Sequence, residues 1–196
     1  MNLPMLFPLA LYSLIILSLI WARFRFFKIN SDASRISSLL YDPAVVLQMA
    51  YTYYSMFSAP KDFVYLVVLA TILYFLSLVL FWWGITSAKQ LDFAFSNNVS
   101  NIITSGPYSI VRHPFYVSYT ICWLTSTLLF NSLLLWITLI YLISFYFMSA
   151  RREEKVIMKS THSAEYATYN KEVGMFLPRV TQWKSWFLRA SHQKPR

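Results

Sequence analysis

From Phe63 to Ile85 the chain carries no charged side chain. A helix of that length crosses a hydrocarbon core of about 30 Å at roughly 1.5 Å per residue. It is not alone. Leu3 to Ala22, Phe115 to Phe130 and Leu133 to Ala150 are apolar runs of the same kind, and Leu39 to Ala59 is a weaker one interrupted by Asp42, Pro43 and Gln48. A soluble domain of 196 residues could not bury all of them at 57% hydrophobic and 19% aromatic content. The runs predict an all-α integral membrane protein of about five transmembrane helices, built as one membrane domain over residues 1–196. Within it, 1–85 hold three spans, 86–180 form a region with a helical hairpin, and 181–196 are a basic tail.

Charge sets the expected orientation. The formal net charge is +9, and every Lys or Arg except Lys61 falls beside the first apolar run, in the segment before Phe115 or after Ala150. With five spans these places share one side, so the positive-inside rule puts the N-terminus outside and the basic segments in the cytoplasm. No basic residue precedes the first run while Arg23, Arg25, Lys28 and Arg35 follow it, the reverse of a secretory signal. The basic residues sit next to apolar runs and no recognition motif accompanies them, so anionic lipid is the expected partner and nucleic acid is not. Short loops favour a bacterial inner membrane over endoplasmic reticulum. Cys122 lies within an apolar run, which points to packing rather than a disulfide or a metal, and no metal site is expected. Three glycines, Gly84, Gly106 and Gly174, supply no Gly-x-Gly or Walker pattern and exclude a Rossmann nucleotide site.

The chemistry concentrates in Thr104 to Tyr116, Thr-Ser-Gly-Pro-Tyr-Ser-Ile-Val-Arg-His-Pro-Phe-Tyr. Gly106-Pro107 predicts a turn and Pro114 a helix start. Alone, the stretch fits an ordinary interfacial helix start. Only Asn131 and Ser132 separate the last two apolar runs, however, and so short a connection makes an antiparallel hairpin. That hairpin carries Arg112-His113 to the depth of Arg151-Arg152-Glu153-Glu154. Beyond it a polar helix is expected to reach Tyr166 and Tyr169.

The order Thr104-Ser-Gly-Pro-Tyr108, Arg112-His-Pro-x-Tyr116, Glu153-Glu154 after a hairpin, Glu165-Tyr166-x-x-Tyr169 and Pro178-Arg179 resembles the isoprenylcysteine carboxyl methyltransferase and phospholipid methyltransferase group of membrane enzymes. The resemblance covers roughly residues 86 to 180. It implies S-adenosyl-L-methionine as cofactor in a pocket closed by the cytoplasmic tail. The implied cofactor contacts are Asn101, Ile102, Ile103, Tyr108, His113, Pro114, Phe115 and Tyr116, with Glu153 or Glu154 for the cofactor's ammonium. Arg112 belongs to the same cluster, and Arg151 or Arg152 matches the family's substrate-side arginine; these are the candidate catalytic residues. Two departures stand out: Ser118 occupies a place that is often glycine, and Thr161-His162-Ser163-Ala164 replaces the usual Phe-Gly, which leaves the glutamate register open between Glu153 and Glu154.

The implied reaction is methyl transfer to a membrane-embedded, lipid-like acceptor, first of all the carboxylate of an isoprenylcysteine-like lipid or prenylated protein. N-methylation of a phospholipid amine is the alternative, and an NADPH-dependent sterol-type reductase is the competing class. Joining a sulfonium cation to an anion neutralises both charges, so a dry site at the membrane surface favours it.

Overall fold

The computed structural model describes residues 3–26, 32–58, 64–88 and 102–179. Six α-helices account for almost all of them: α1 (Leu6–Arg25), α2 (Asp32–Ser58), α3 (Val64–Ala88), α4 (Pro114–Phe130), α5 (Leu133–Ile157) and α6 (Ser163–Glu172). Short 3-10 turns at Leu3–Met5 and Gly106–Ser109 precede α1 and α4. The all-helical expectation holds. The basic tail 181–196 and Asn101 lie outside the described residues.

Among the described residues, three helices are long and apolar enough to cross a membrane: α1, α3 and α5. The expected count of five is not reached on those grounds. α4 has 17 residues, a rise of about 25 Å that falls short of a typical hydrocarbon core. α2 has 27 residues but includes Asp42, Pro43 and Gln48. Two boundaries also differ from expectation. α2 begins at Asp32, so part of the expected serine-rich loop is helical; α5 continues past Ala150 to Ile157. In both places polarity marks the end of the apolar environment and not the end of the helix.

Ring contacts and hydrogen bonds fix the helix directions. Tyr12 packs on Tyr74 with centroids 5.4 Å apart and Trp21 stacks on Trp82 at 5.4 Å, so α1 and α3 run the same way. Tyr41 lies near Tyr146, and Gln48 lies near Thr127, which makes α2 parallel to α4 and antiparallel to α5. α1, α3 and α5 therefore all end at one face, where α2 and α4 begin. The α4–α5 turn follows from Asn131, whose left-handed backbone (φ 44°) is one that asparagine tolerates. Its amide donates to Thr127 O at 2.8 Å, and its side-chain oxygen accepts from Trp136 Nε1 at 3.0 Å.

The most extensive helix contact is between α3 and α4. Ser77 Oγ donates to Ser118 O at 2.9 Å, and Ser118 Oγ donates to Ser77 O at 2.9 Å. One turn or two away, a Cβ built on Gly84 would lie 3.0 Å from the Phe115 ring. Lipid tails are as apolar as leucine, so small residues and interhelical hydrogen bonds bring such helices together. Ser118, the departure from the family's glycine, is matched by Ser77. Ser118→Ala should cost about 0.6 kcal/mol, and Ser118→Val, which overpacks the contact, about 1–3 kcal/mol; thermal midpoints in detergent check the order.

Candidate active site

The stretch before α4 is shaped by its turn. Gly106 has φ 61°, and a Cβ there would collide with the Ser87 hydroxyl and lie 3.2 Å from Trp83 Nε1, so the turn sits on the end of α3. Val111 then forms a parallel bridge with Gly174. Arg112 N donates to Gly174 O at 2.8 Å and His113 N to Met175 O at 3.2 Å. Tyr169 Oη adds a bond to Tyr108 O at 2.6 Å. The segment after α6 is thus strapped, backbone to backbone, across the entrance to α4. Gly174 is required here, since a Cβ would strike the Leu177 carbonyl.

Arg112 is a strut beneath the strap. Its Nε and Nη2 each lie 2.8 Å from Glu154 Oε1, and its Nη1 donates to Asn170 O at 3.3 Å and to Val173 O. The side chains of Arg112 and Glu154 are only 6% and 13% exposed. His113 Nε2 lies 3.1 Å from the same Glu154 oxygen, and its Nδ1 lies 3.5 Å from Glu153 Oε2. Tyr116 Oη donates to Glu153 Oε1 at 2.5 Å. The expected meeting of the two clusters is therefore observed, with Glu154 occupied by the protein's own cations and Glu153 34% exposed.

Aromatic rings wall this cluster. Tyr116 stacks with His113 at 5.7 Å and with Tyr146 at 5.1 Å. Phe176, from the strap, packs 5.9 Å from His113 and 6.4 Å from Phe147. Arg151 Cζ sits 4.6 Å over the Phe147 ring, at the exposed rim, and Arg152 is exposed as well. Burial holds the Tyr108, Tyr166 and Tyr169 phenols above their ordinary pKa, so they stay neutral. For His113, burial opposes protonation, but hydrogen bonds and charge from Glu153 and Glu154 outweigh it and raise the pKa above 6.5.

The other expected site residues divide. Ile102 packs on the Ile157, Tyr166, Tyr169 and Val173 cluster under α6, and Ile103 is half-buried. Pro114 is the buried first residue of α4. Phe115 turns to the other side, against Phe26, Phe81 and Tyr119. Tyr146, Phe147 and Phe176 were not anticipated. Tyr146 and Glu153 lie two turns apart on one face of α5, the spacing in the sequence that indicates Tyr146.

A family model described as phospholipid methyltransferase matches residues 65–165, more than half of the 196 residues. The chain belongs to that family. No curated protein and no solved structure matches it. The matched region takes in α3, α4, α5 and the Arg112–Glu154 cluster, and stops within α6, before the strap. This membrane methyltransferase therefore closes its carboxylate cluster with a segment beyond the region matched.

Two outcomes are expected. Arg112→Ala leaves the half-buried Glu154 without its main partner and should cost about 1–3 kcal/mol, whereas Arg152→Ala should leave the thermal midpoint unchanged. His113 has a raised folded pKa, so its stabilisation is complete below about pH 6.5 and is lost as pH rises through the shifted value. The thermal midpoint should fall across that window in the parent protein and fall less in His113→Gln.

Proposed function

We propose that this protein transfers a methyl group from S-adenosyl-L-methionine to a lipid acceptor at the face where α1, α3 and α5 end. One observation carries the reading. Of the two adjacent glutamates, Glu154 is consumed by Arg112 and His113, while Glu153 is held by Tyr116 and remains partly exposed beside aromatic rings. A carboxylate flanked by ring faces suits a cationic ligand, and the donor set fits the ammonium and sulfonium of that cofactor.

When bound, the cofactor supplies an electrophilic methyl group. Glu153 binds its ammonium; Tyr116 and His113 orient Glu153; the strap, through Phe176, helps exclude water. Tyr108, neutral and close enough to feel the Glu153 charge, offers a further ring at the same place. Arg112 acts as a positioning residue, because its donors meet Glu154 and the carbonyls that end α6. Alignment of two bound reactants is the main catalytic contribution this arrangement provides.

Arg151, propped over Phe147 at the rim, is placed to hold an anionic group of the acceptor. For an isoprenylcysteine-like acceptor that group is the carboxylate that receives the methyl. The second acceptor is a phospholipid amine, in line with the family's description; its phosphate would use the same arginine. Arg23 and Arg25 of α1 and Arg151, Arg152 and Lys155 of α5 lie near the site face. On the positive-inside rule this face is cytoplasmic and the N-terminus outside; the short loops favour a bacterial inner membrane.

Calorimetry on the detergent-solubilised protein tests the cofactor. Micromolar binding of S-adenosyl-L-methionine is expected, weakened about 10–100-fold by Glu153→Gln through loss of a charged hydrogen bond. Binding of NADPH alone would replace this reading with a reductase. Parallel assays with a farnesylcysteine and with phosphatidylethanolamine then identify the acceptor, and Arg151→Ala should raise KM for whichever is used.

A further inference from the structure

Tyr146 has no part in the reading above beyond its stack on Tyr116. Its surroundings are nevertheless unusually complete. The residue is 2% exposed. Its hydroxyl receives a hydrogen bond from Trp123 Nε1 at 2.9 Å and meets the Tyr41 hydroxyl at 3.3 Å. Tyr119 packs on the ring at 5.9 Å and Tyr41 at 5.9 Å. Side chains from α2 and α4 thus hold this α5 ring in place, and it lies 17° from parallel to Tyr116, with centroids 5.1 Å apart.

Tyr116 needs such support. Its phenol reaches Glu153 Oε1 at 2.5 Å from another helix, and a small rotation of the ring would withdraw it. Ala150, which is 0% exposed, separates Tyr146 from Glu153 on the inward face of α5. With so small a side chain between them, the Tyr116 ring can lie over Tyr146 while its hydroxyl reaches up to the carboxylate.

We propose that Tyr146 is a positioning residue of the cation site: its ring fixes the plane of Tyr116, which keeps the phenol on Glu153 Oε1 and holds the carboxylate, whose Oε2 faces His113 Nδ1 at 3.5 Å, turned toward the incoming cation. The inference rests on the reading of Glu153 as the carboxylate that receives the methyl donor. The two halves of Tyr146 then have separate tasks. The ring serves the site, through stacking; the hydroxyl serves the bundle, through Trp123 and Tyr41.

Full-length protein in detergent tests this with Tyr146→Phe, Tyr146→Leu, Tyr116→Phe and the Leu/Phe double variant. Three quantities are read: affinity for S-adenosyl-L-methionine by calorimetry, the thermal midpoint without ligand, and the His113 pKa by NMR of ring-labelled histidine, assigned with His113→Gln. Tyr146→Leu should weaken binding about tenfold, as should Tyr116→Phe. The double variant should be no weaker than either, because both remove one interaction. Each should also raise the His113 pKa, since Glu153 deprived of the phenol turns more strongly to the imidazole. Tyr146→Phe should restore parent-like affinity and His113 titration while lowering the thermal midpoint through loss of the hydroxyl's bonds.

Parent-like binding and His113 titration in Tyr146→Leu would overturn the proposal, as would a Tyr146→Phe variant as weak as Tyr146→Leu. If Tyr146→Leu does not fold, Tyr146→Met, which keeps bulk without a planar ring, takes its place under the same criteria. Should the parent protein fail to bind the methyl donor, the functional reading fails separately. The His113 titration then decides alone: a shift in the Leu or Met variant but not in Phe sustains the positioning role, and no shift rejects it.

Discussion

A guanidinium and a carboxylate buried together at the end of a helical bundle dominate this molecule. Neither ion is tolerable there without nearly complete hydrogen bonding. Arg112 meets that demand by spending its donors on Glu154 of α5 and on the Asn170 and Val173 carbonyls that close α6. One side chain thereby ties the entrance of α4, the end of α5 and the tail into a single unit. His113, next in the chain, completes the charge balance by lying between both glutamates. What distinguishes Glu153 from Glu154 is thus decided by Arg112, not by either glutamate.

Below that cluster the bundle is held by directional contacts more than by apolar area. Ser77 and Ser118 exchange hydrogen bonds with each other's carbonyls. Gln48, 0% exposed, links α2 to the Trp123 carbonyl and Thr127 of α4 and to Thr138 of α5. Trp123 and Tyr146 join α4 to α5 a little nearer the site. In lipid these interactions compete with no water, and they specify which faces meet where leucine contacts would not. Large apolar side chains such as Phe7, Leu17, Val68 and Phe75 face outward instead. The ring stack that supports Glu153 is the upper end of this same polar interior.

Much of this was readable in the sequence, and the limits have physical causes. The hairpin was legible because Asn131 and Ser132 leave no other path, and with it the encounter of Arg112-His113 with Glu153-Glu154. The helix types were legible from apolar length. Hidden from pattern reading was where α5 ends, since the charged residues after Ala150 are compatible with a solvated continuation of the helix and do not mark its last turn at Ile157. Hidden too was the pairing of Val111–His113 with Gly174–Met175, for two or three residues in a parallel bridge carry no alternation to detect. The choice between the glutamates depends on χ angles and on that strap. Phe115, which the resemblance implies as a cofactor contact, lies one step along the first turn of α4 with its ring toward α3, an orientation that motif matching does not carry.

The strap has a consequence for how the protein is made. Among the described residues it lies after every helix apolar enough to cross the bilayer, and chains emerge from the ribosome N-terminus first. Those helices therefore emerge before the carboxylate cluster can be closed. Until Gly174 and Met175 arrive to accept the Arg112 and His113 amides, the nascent protein is a bundle with an open, charged mouth facing lipid headgroups. Becoming an enzyme is then a separate event from becoming a membrane protein, one that takes place at the water's edge and is set by the docking of a few extramembrane residues.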